Sequence, residues 1–489
     1  MGLGTVDEGG LAAAASAGSD PRVGRPLPRR ISQALLSALS AGVVPRLGLE
    51  RIAVGRKAEI EAFLGDMGAL AEGGSAFRLI CGRYGSGKSF MLQICRGHAL
   101  ESGYATMDAD LSPERKLTGQ KGQGLATYRA LVRSLAIRSK PEGGALQVII
   151  DAWLLGLQSR VMAERGVARG SEAFAAFFEG LVSEACSHMQ GVTHGFDVSA
   201  VLSRYWKGCV DSDDEAKANC LKWLCGEYAL RSAARKDLGV TEIVDDGNWY
   251  DFLKVMARLV GLAGQKGLVA FVDEGVNLYK VSNALSRNQN YEKLLSMFND
   301  LTQNAVQGLA MYFGLTPQAL EDPRRGLYGY EAFRTRLSAG AFGASLPGVS
   351  GPVIRLGALE YEELFVLLRR VLGVYEAHHS LGMGLSDDDL TAFLQASLDK
   401  VGAKEGMTPR EMLRGFLHLL DVVRQGGAPG FRSAIRAALS VADPARADPD
   451  PPWEPTPVGW GGSDGLGGGS GAPSDGPGTD ADGLHEMEL

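Results

Sequence analysis

The octet Gly82-Arg83-Tyr84-Gly85-Ser86-Gly87-Lys88-Ser89 decides how the rest of the chain is read. It has the form G-x-x-x-x-G-K-S, a P-loop whose backbone N–H groups wrap phosphate at the N-terminus of a helix. Its flanks agree. Phe77 to Cys81 is a short apolar run suited to a buried strand, and Met91, Leu92, Cys95 and Ala99 follow at helical spacing. Gly82, Gly85 and Gly87 let the backbone approach a ligand and take positive φ. Ser86 lies within the loop, and Phe90 follows it in the first helical turn. Lys88 is placed to reach β- and γ-phosphates, and the Ser89 hydroxyl to ligate Mg²⁺.

Working outward, a strand is predicted over Tyr104–Asp110 and a helix over Thr127–Ile137. Residues 142–263 read as mostly helical. Phe174, Phe177, Phe178, Leu181 and Val182 form one apolar stripe there, and Trp249, Phe252, Leu253, Met256 and Leu259 another. Leu268–Val272 and Leu309–Leu315 read as buried strands separated by a helix over Tyr291–Val306. Strands alternating with helices predict a parallel α/β sheet. Upstream, Ile31–Leu39 has helical spacing, as does the stripe Ile60, Phe63, Leu64, Met67 and Leu70. Beyond Glu360 the pattern is wholly helical, over roughly 360–377, 386–399, 409–425 and 430–441. The expected organisation is a flexible leader at 1–27, a P-loop core at 28–355 with a helical insertion at about 142–263, a helical lid at 356–442, and an acidic tail at 443–489 rich in Gly, Pro, Ser and Asp. Trp453 and Trp460 in the tail read as incidental.

The net charge of −7 hides an asymmetry. Residues 443–489 carry ten acids and one base, which leaves the remainder at +2. A near-neutral body offers no global electrostatic case for nucleic-acid binding. No apolar run has the length of a membrane span, and no secretory signal is seen, so a cytoplasmic location is expected. The six cysteines include no Cys-x-x-Cys pair and read as reduced core thiols. No Ser-His-Asp arrangement is visible, and the adjacent His378 and His379 diverge on a helix.

Leu268-Val269-Ala270-Phe271-Val272-Asp273-Glu274 supplies the second half of the chemistry. An acidic pair at the carboxyl end of a buried strand lies in the crevice where open α/β sheets bind ligands. Asp273 is placed to hold Mg²⁺ and Glu274 to polarise an attacking water. The pair follows Lys88 by 185 residues, a gap that the helical insertion accounts for. Thr316 ends the next strand, where a polar group can meet a γ-phosphate or the lytic water. Arg324, Arg325, Arg334 and Arg336 fall within thirteen residues; one is a candidate arginine finger acting on a neighbouring subunit, and surface ion pairs are the other use for such a group. Thr408-Pro409-Arg410 reads as a capped helix start, with Arg410 reaching back toward the nucleotide. No N-K-x-D guanine signature is present, so ATP is expected rather than GTP.

The order Val54-Gly55-Arg56, P-loop, Asp273-Glu274, strand with Thr316, arginine-rich segment and Thr408-Pro409-Arg410 resembles an AAA+ ATPase. It leans toward the initiator and STAND-type branches. There, the resemblance implies, Val54, Gly55 and Arg56 help enclose the adenine. More closely, the chain is similar to the ATP-binding proteins of bacterial BREX phage-defence systems. The similarity is carried by ISQALLSALSAGVVPRLGLERIAVGR, DADLSPERKL, NYEKLLSMFNDLTQNAVQGLAMYFGLTP and DPRRGLYGYEAFRTRL, and it spans about residues 30–440. Leu315 stands where a second glycine is expected before Thr316.

The resemblance implies an ATP- and Mg²⁺-dependent ATPase acting with other defence-system proteins, with an ATP-dependent homo-oligomer as the setting for the finger. Two other uses of the same residues remain open at this level. One is an ATP-gated scaffold without turnover, against which an intact Glu274 argues. The other is a DNA-loading or remodelling ATPase, against which the acidic tail argues.

Overall fold

The strands are β1 (Ala76–Cys81), β2 (Ala105–Asp110), β3 (Leu268–Asp273), β4 (Leu309–Leu315) and β5 (Val353–Arg355), of which β1, β3 and β4 are apolar runs too short for helices. The computed structural model describes residues 27–166, 171–187, 194–337, 349, 351–399, 408–426 and 434–435. The strands form one sheet in the order β2-β3-β4-β1-β5, and every pairing is parallel. All seven residues of β4 are buried, as a strand covered on both faces requires. The sheet order wedges β4 between β1 and β3, so the carboxyl ends of the P-loop strand and the Asp-Glu strand flank Leu315. Register sets Cys81 beside Leu315 and Asp110 beside Asp273. All the ends that carry candidate chemistry therefore meet at one edge.

The helices described run α1 (Arg29–Ser40), α2 (Lys57–Ala71), α3 (Lys88–Glu101), α4 (Gln123–Ser134), α5 (Leu146–Arg165), α6 (Glu172–Ser187), α7 (Gly195–Asp211), α8 (Asp214–Leu224), α9 (Arg231–Leu238) and α10 (Trp249–Leu262). They continue as α11 (Val276–Tyr279), α12 (Ala284–Thr302), α13 (Pro317–Glu321), α14 (Glu331–Leu337), α15 (Tyr361–His379), α16 (Asp387–Asp399) and α17 (Pro409–Arg424). Helices α4 to α10 lie between β2 and β3 in the chain, and their buried Trp153, Phe178, Trp223 and Phe252 join one apolar cluster with Phe77 and Phe313 of the sheet. The Phe77 and Phe313 rings lie 5.4 Å apart. The opposite face of the sheet packs Phe271 and Tyr312 against Phe63 of α2 and Leu92 of α3. This is an α/β architecture of the P-loop NTPase type with a large helical insertion.

A third cluster lies off the sheet. Leu35, Leu36 and Leu39 of α1 pack with Leu368 and Val371 of α15 and Phe416 of α17. This bundle takes helices from both ends of the described chain.

Several local expectations are corrected. Helix α12 begins at Ala284, well before Tyr291, because the Asn283 side chain caps it by accepting from Ser286 N at 2.9 Å. It stops at Thr302, short of Val306, where Asn304 turns left-handed at φ 56°. Leu64 and Phe177 sit on solvent-facing sides of their helices, at 44% and 42% exposure, rather than in the core. Cys209 is exposed, whereas Cys81, Cys95 and Cys220 are buried, and these thiols are unpaired. Strand β5 escaped the sequence reading because it is three residues long. Most of the helix expected over 430–441, the leader and the tail with Trp453 and Trp460 lie outside the described residues.

Candidate functional site

The loop leaving β1 is shaped by glycine. Gly85 and Gly87 take φ values of 80° and 90°, and Gly87 is the N-cap of α3. A Cβ on Gly82 would sit 2.2 Å from Ser86 Oγ, and one on Gly85 would sit 2.3 Å from Thr408 Cγ2. The loop thus presses its apex against the first turn of α17. Lys88 Nζ donates to the Gly82 carbonyl at 2.9 Å and the Arg83 carbonyl at 3.0 Å. Burial lowers the Lys88 pKa, while nearby Asp273 and Glu274 act in the opposite direction.

Ser89, on the first turn of α3, donates its hydroxyl to Asp273 Oδ2 at 2.5 Å. The other carboxylate oxygen accepts from Glu274 N at 2.8 Å. Gly314 makes room for that carboxylate, since a Cβ there would lie 2.2 Å from Asp273 Oδ1. Glu274 has a left-handed backbone at φ 57°, a conformation that disfavours a residue with a Cβ. Burial raises its carboxyl pKa, and the Asp273 charge adds to the effect. Thr316 caps α13 by accepting from Ala319 N at 3.3 Å.

Gly85, Ser86, Gly87, Lys88, Ser89, Glu274 and Thr316 line one cleft open to solvent, together with Val54, Arg56, Phe90, Gly314 and Arg410, and Asp273 joins it through its bond with Ser89. Its other end is apolar, walled by Leu39, Pro45, Ile52, Leu359, Leu367 and Leu413. Arg56 donates to the Ser86 carbonyl at 3.0 Å and the Gly357 carbonyl at 2.7 Å, and pairs with Glu59 at 3.3 Å. Gly55 is left-handed at φ 64°, and a Cβ there would come within 2.6 Å of Glu363 Oε1. Arg410 hydrogen-bonds the Tyr84 hydroxyl at 3.3 Å and lies over its ring.

The four arginines stay outside this cleft. Arg325 donates to the Tyr279 carbonyl at 3.3 Å and stacks on its ring. Arg334 pairs with Glu331 at 3.7 Å, and Arg336 donates to the Ala332 carbonyl at 2.7 Å. Arg324 is exposed, and its backbone N–H binds Asp322.

Sequence reasoning missed the apolar wall from α1 and its following turn. Leu39 and Pro45 carry no motif and enter only because α1 folds back onto α15 and α17. It also missed Tyr84, which was on view inside the octet as a bulky residue in an otherwise small loop.

The residues fit a metal-bound triphosphate. Ser86 Oγ is buried without a hydrogen-bond partner, inside the loop where a phosphate oxygen would lie. Ser89 and Asp273 bring two hard oxygen ligands together, as Mg²⁺ prefers when water and phosphate complete its shell. Among the described residues there is no cluster of three His, Cys, Asp or Glu side chains for a dedicated protein-only metal cage.

Fold and loop together define a P-loop NTPase-like protein. Over residues 27–438 the chain matches the family described as BREX system ATP-binding protein BrxC/D, and it belongs to that family. The match runs from just before α1 to just past Ile435, so it takes in the sheet, the insertion and the bundle. No curated protein matches the chain. Among the described residues no helix is long and apolar enough to cross a membrane.

Proposed function

We propose that the protein is an AAA+-type ATPase that binds and hydrolyses ATP with Mg²⁺ to drive or gate assembly of a phage-defence complex with other proteins of its system. The observation that carries this reading is the 2.5 Å contact between Ser89 Oγ and Asp273 Oδ2, with Glu274 beside it. Two oxygens from separate elements meet there, at the loop that Lys88 closes.

In this reading Lys88 exchanges the carbonyls of Gly82 and Arg83 for β- and γ-phosphate oxygens. Backbone N–H groups from Gly85 to Ser89 and the Ser86 hydroxyl take the remaining phosphate oxygens. Ser89 and Asp273 hold Mg²⁺, which supplies charge neutralisation on the phosphates when bound. Glu274 takes a proton from water as its oxygen attacks the γ-phosphorus; the bond to the β,γ-bridging oxygen breaks, and ADP and phosphate leave. Thr316 orients the water or the γ-phosphate. Val54, Gly55 and the apolar wall take the adenine, with Phe90 and Arg410 closing the cleft. One of Arg324, Arg325, Arg334 or Arg336 reaches the site of a neighbouring copy in an ATP-dependent oligomer.

Phosphate release from the full chain with Mg²⁺-ATP, with and without DNA, tests this together with Lys88→Ala and Glu274→Gln. The expected outcome is turnover in the wild type, nucleotide binding lost in Lys88→Ala, and binding without turnover in Glu274→Gln. A wild type that binds ATP but releases no phosphate under any condition leaves a scaffold instead. Turnover that depends on DNA redirects the reading to a DNA-remodelling ATPase.

A further inference from the structure

Arg56 occupies an unusual position. Gly55 and Arg56 take successive left-handed conformations, at φ 64° and 65°, where the chain enters α2. A glycine accepts this freely, but arginine does not. Its side chain is only 11% exposed, and its guanidinium is shared among three acceptors. Two are backbone carbonyls from distant segments, Ser86 in the phosphate loop and Gly357 between β5 and α15. The third is Glu59 on its own helix.

The Ser86 contact fixes more than a carbonyl. The peptide unit is planar and trans, so C=O and N–H of one unit point in opposite directions. With the Ser86 oxygen drawn toward Arg56, the Gly87 N–H of the same unit is turned the other way, into the loop. The Gly357 contact lies where the chain leaves the sheet for α15. Around it α15 grips the same stretch twice more: Arg370 donates to the Ala53 carbonyl, and Glu363 lies against Gly55. The segment 53–56 is thus held by α15 on one side and by the phosphate loop on the other, and the Arg56 side chain joins the loop at Ser86 to the chain at Gly357 that leads into α15.

We infer that Arg56 is a positioning residue that aims the Gly87 N–H into the phosphate cradle and ties that aim to the joint at Gly357, so that the bundle and the loop move together. The inference rests on the nucleotide reading above for the identity of its ligand only. It differs from a role in enclosing the base, because it predicts an effect on ligands that have no base.

The test uses the full chain and three variants: Arg56→Ala, Arg56→Lys and Glu59→Gln. Hydrogen–deuterium exchange without ligand reads the coupling directly. Exchange in peptides covering 82–90 and 355–362 is expected to rise together, at least threefold, in both Arg56 variants, because both carbonyls accept from the single Nη2 and a lysine ammonium ends one bond short of that nitrogen. Glu59→Gln removes the ion pair and leaves both carbonyl bonds, so its exchange should match the wild type. A rise confined to 57–61, or one reproduced by Glu59→Gln, overturns the proposal and leaves Arg56 as a helix-end ion pair. Should Arg56→Ala unfold, visible as exchange throughout β3, Arg56→Lys decides alone.

Calorimetric titration with Mg²⁺-tripolyphosphate and Mg²⁺-ATP reads the cradle. Both affinities are expected to fall about tenfold in Arg56→Lys, by the same factor. Tripolyphosphate binding at wild-type strength with ATP weakened assigns Arg56 to the base and overturns the cradle half. If the wild type binds neither ligand, the nucleotide reading fails, and the exchange result still decides whether Arg56 couples loop and joint.

Discussion

At the scale of single residues, the site depends on positions where a Cβ has no room. Gly314 borders Asp273 so closely that Gly314→Ala must displace the carboxylate. Mg²⁺-dependent nucleotide binding should weaken at least tenfold, while binding in EDTA changes little; titration in the two buffers checks this. Glu274 is the opposite case, a side chain kept in a left-handed backbone that glycine would adopt more easily. Strain held at such a residue is a reason to look for function there. Glu274→Gln should lower turnover by about 10²-fold or more, the size of a lost general base, with ATP affinity retained. Lys88, Ser89, Asp273 and Glu274 were legible in the sequence because the motifs fix both residue type and neighbours. What Arg56 touches was not, since Ser86 and Gly357 offer only backbone carbonyls and these leave no trace in residue identity.

At the scale of elements, side chains that accept from backbone N–H groups decide where helices begin. Asn283 does this for α12 and Thr408 for α17, where Glu411 completes a reciprocal capping box. The Thr408 cap was legible from Thr-Pro followed by Glu. The Asn283 cap was not, because no apolar stripe marks the first turn of α12. Asn290, further along α12 and wholly buried, carries a heavier load. Its amide oxygen accepts from Leu117 N at 2.9 Å and Thr118 N at 3.1 Å, and its nitrogen donates to the carbonyls of Thr118 and Ser286. Asn290→Leu would strand the buried Leu117 donor at a cost of about 1–3 kcal/mol, and would also remove the acceptor of the half-buried Thr118 N–H. Chemical denaturation should show that loss, and limited proteolysis should find new cleavage between Leu111 and Gly122.

At the scale of the molecule, the four long strands were readable, β1, β3 and β4 as apolar runs, but their order was not, because a parallel sheet leaves pairing to the crossovers. Nor was the partnership of α1 with α15 and α17 readable, since amphipathic helices advertise an apolar face without naming its partner. Leu35 is fully buried in that bundle. Leu35→Ala should cost about 2–5 kcal/mol. Thermal melting followed with and without Mg²⁺-ATP should show a lowered midpoint and a smaller ligand-induced rise, because Leu39 on the same helix walls the cleft. Thiol chemistry gives a separate check on the packing. Burial pushes Cys81 up to about 11 and Cys220 up to about 12; partial burial raises Cys209 too, but Cys209 alone of the three is exposed to reagent. Brief alkylation of the native protein, mapped by mass spectrometry, should therefore modify Cys209 well before Cys81 or Cys220. The shared bundle also sets an order of events during synthesis. Leu35 meets Phe416 only after the ribosome has added the intervening 380 residues, which at about 5–20 residues per second takes roughly 20–80 seconds. Through that interval the α1 leucines lack the α15 and α17 side chains of their cluster, and the cleft lacks the part of its apolar wall that Leu367 and Leu413 supply.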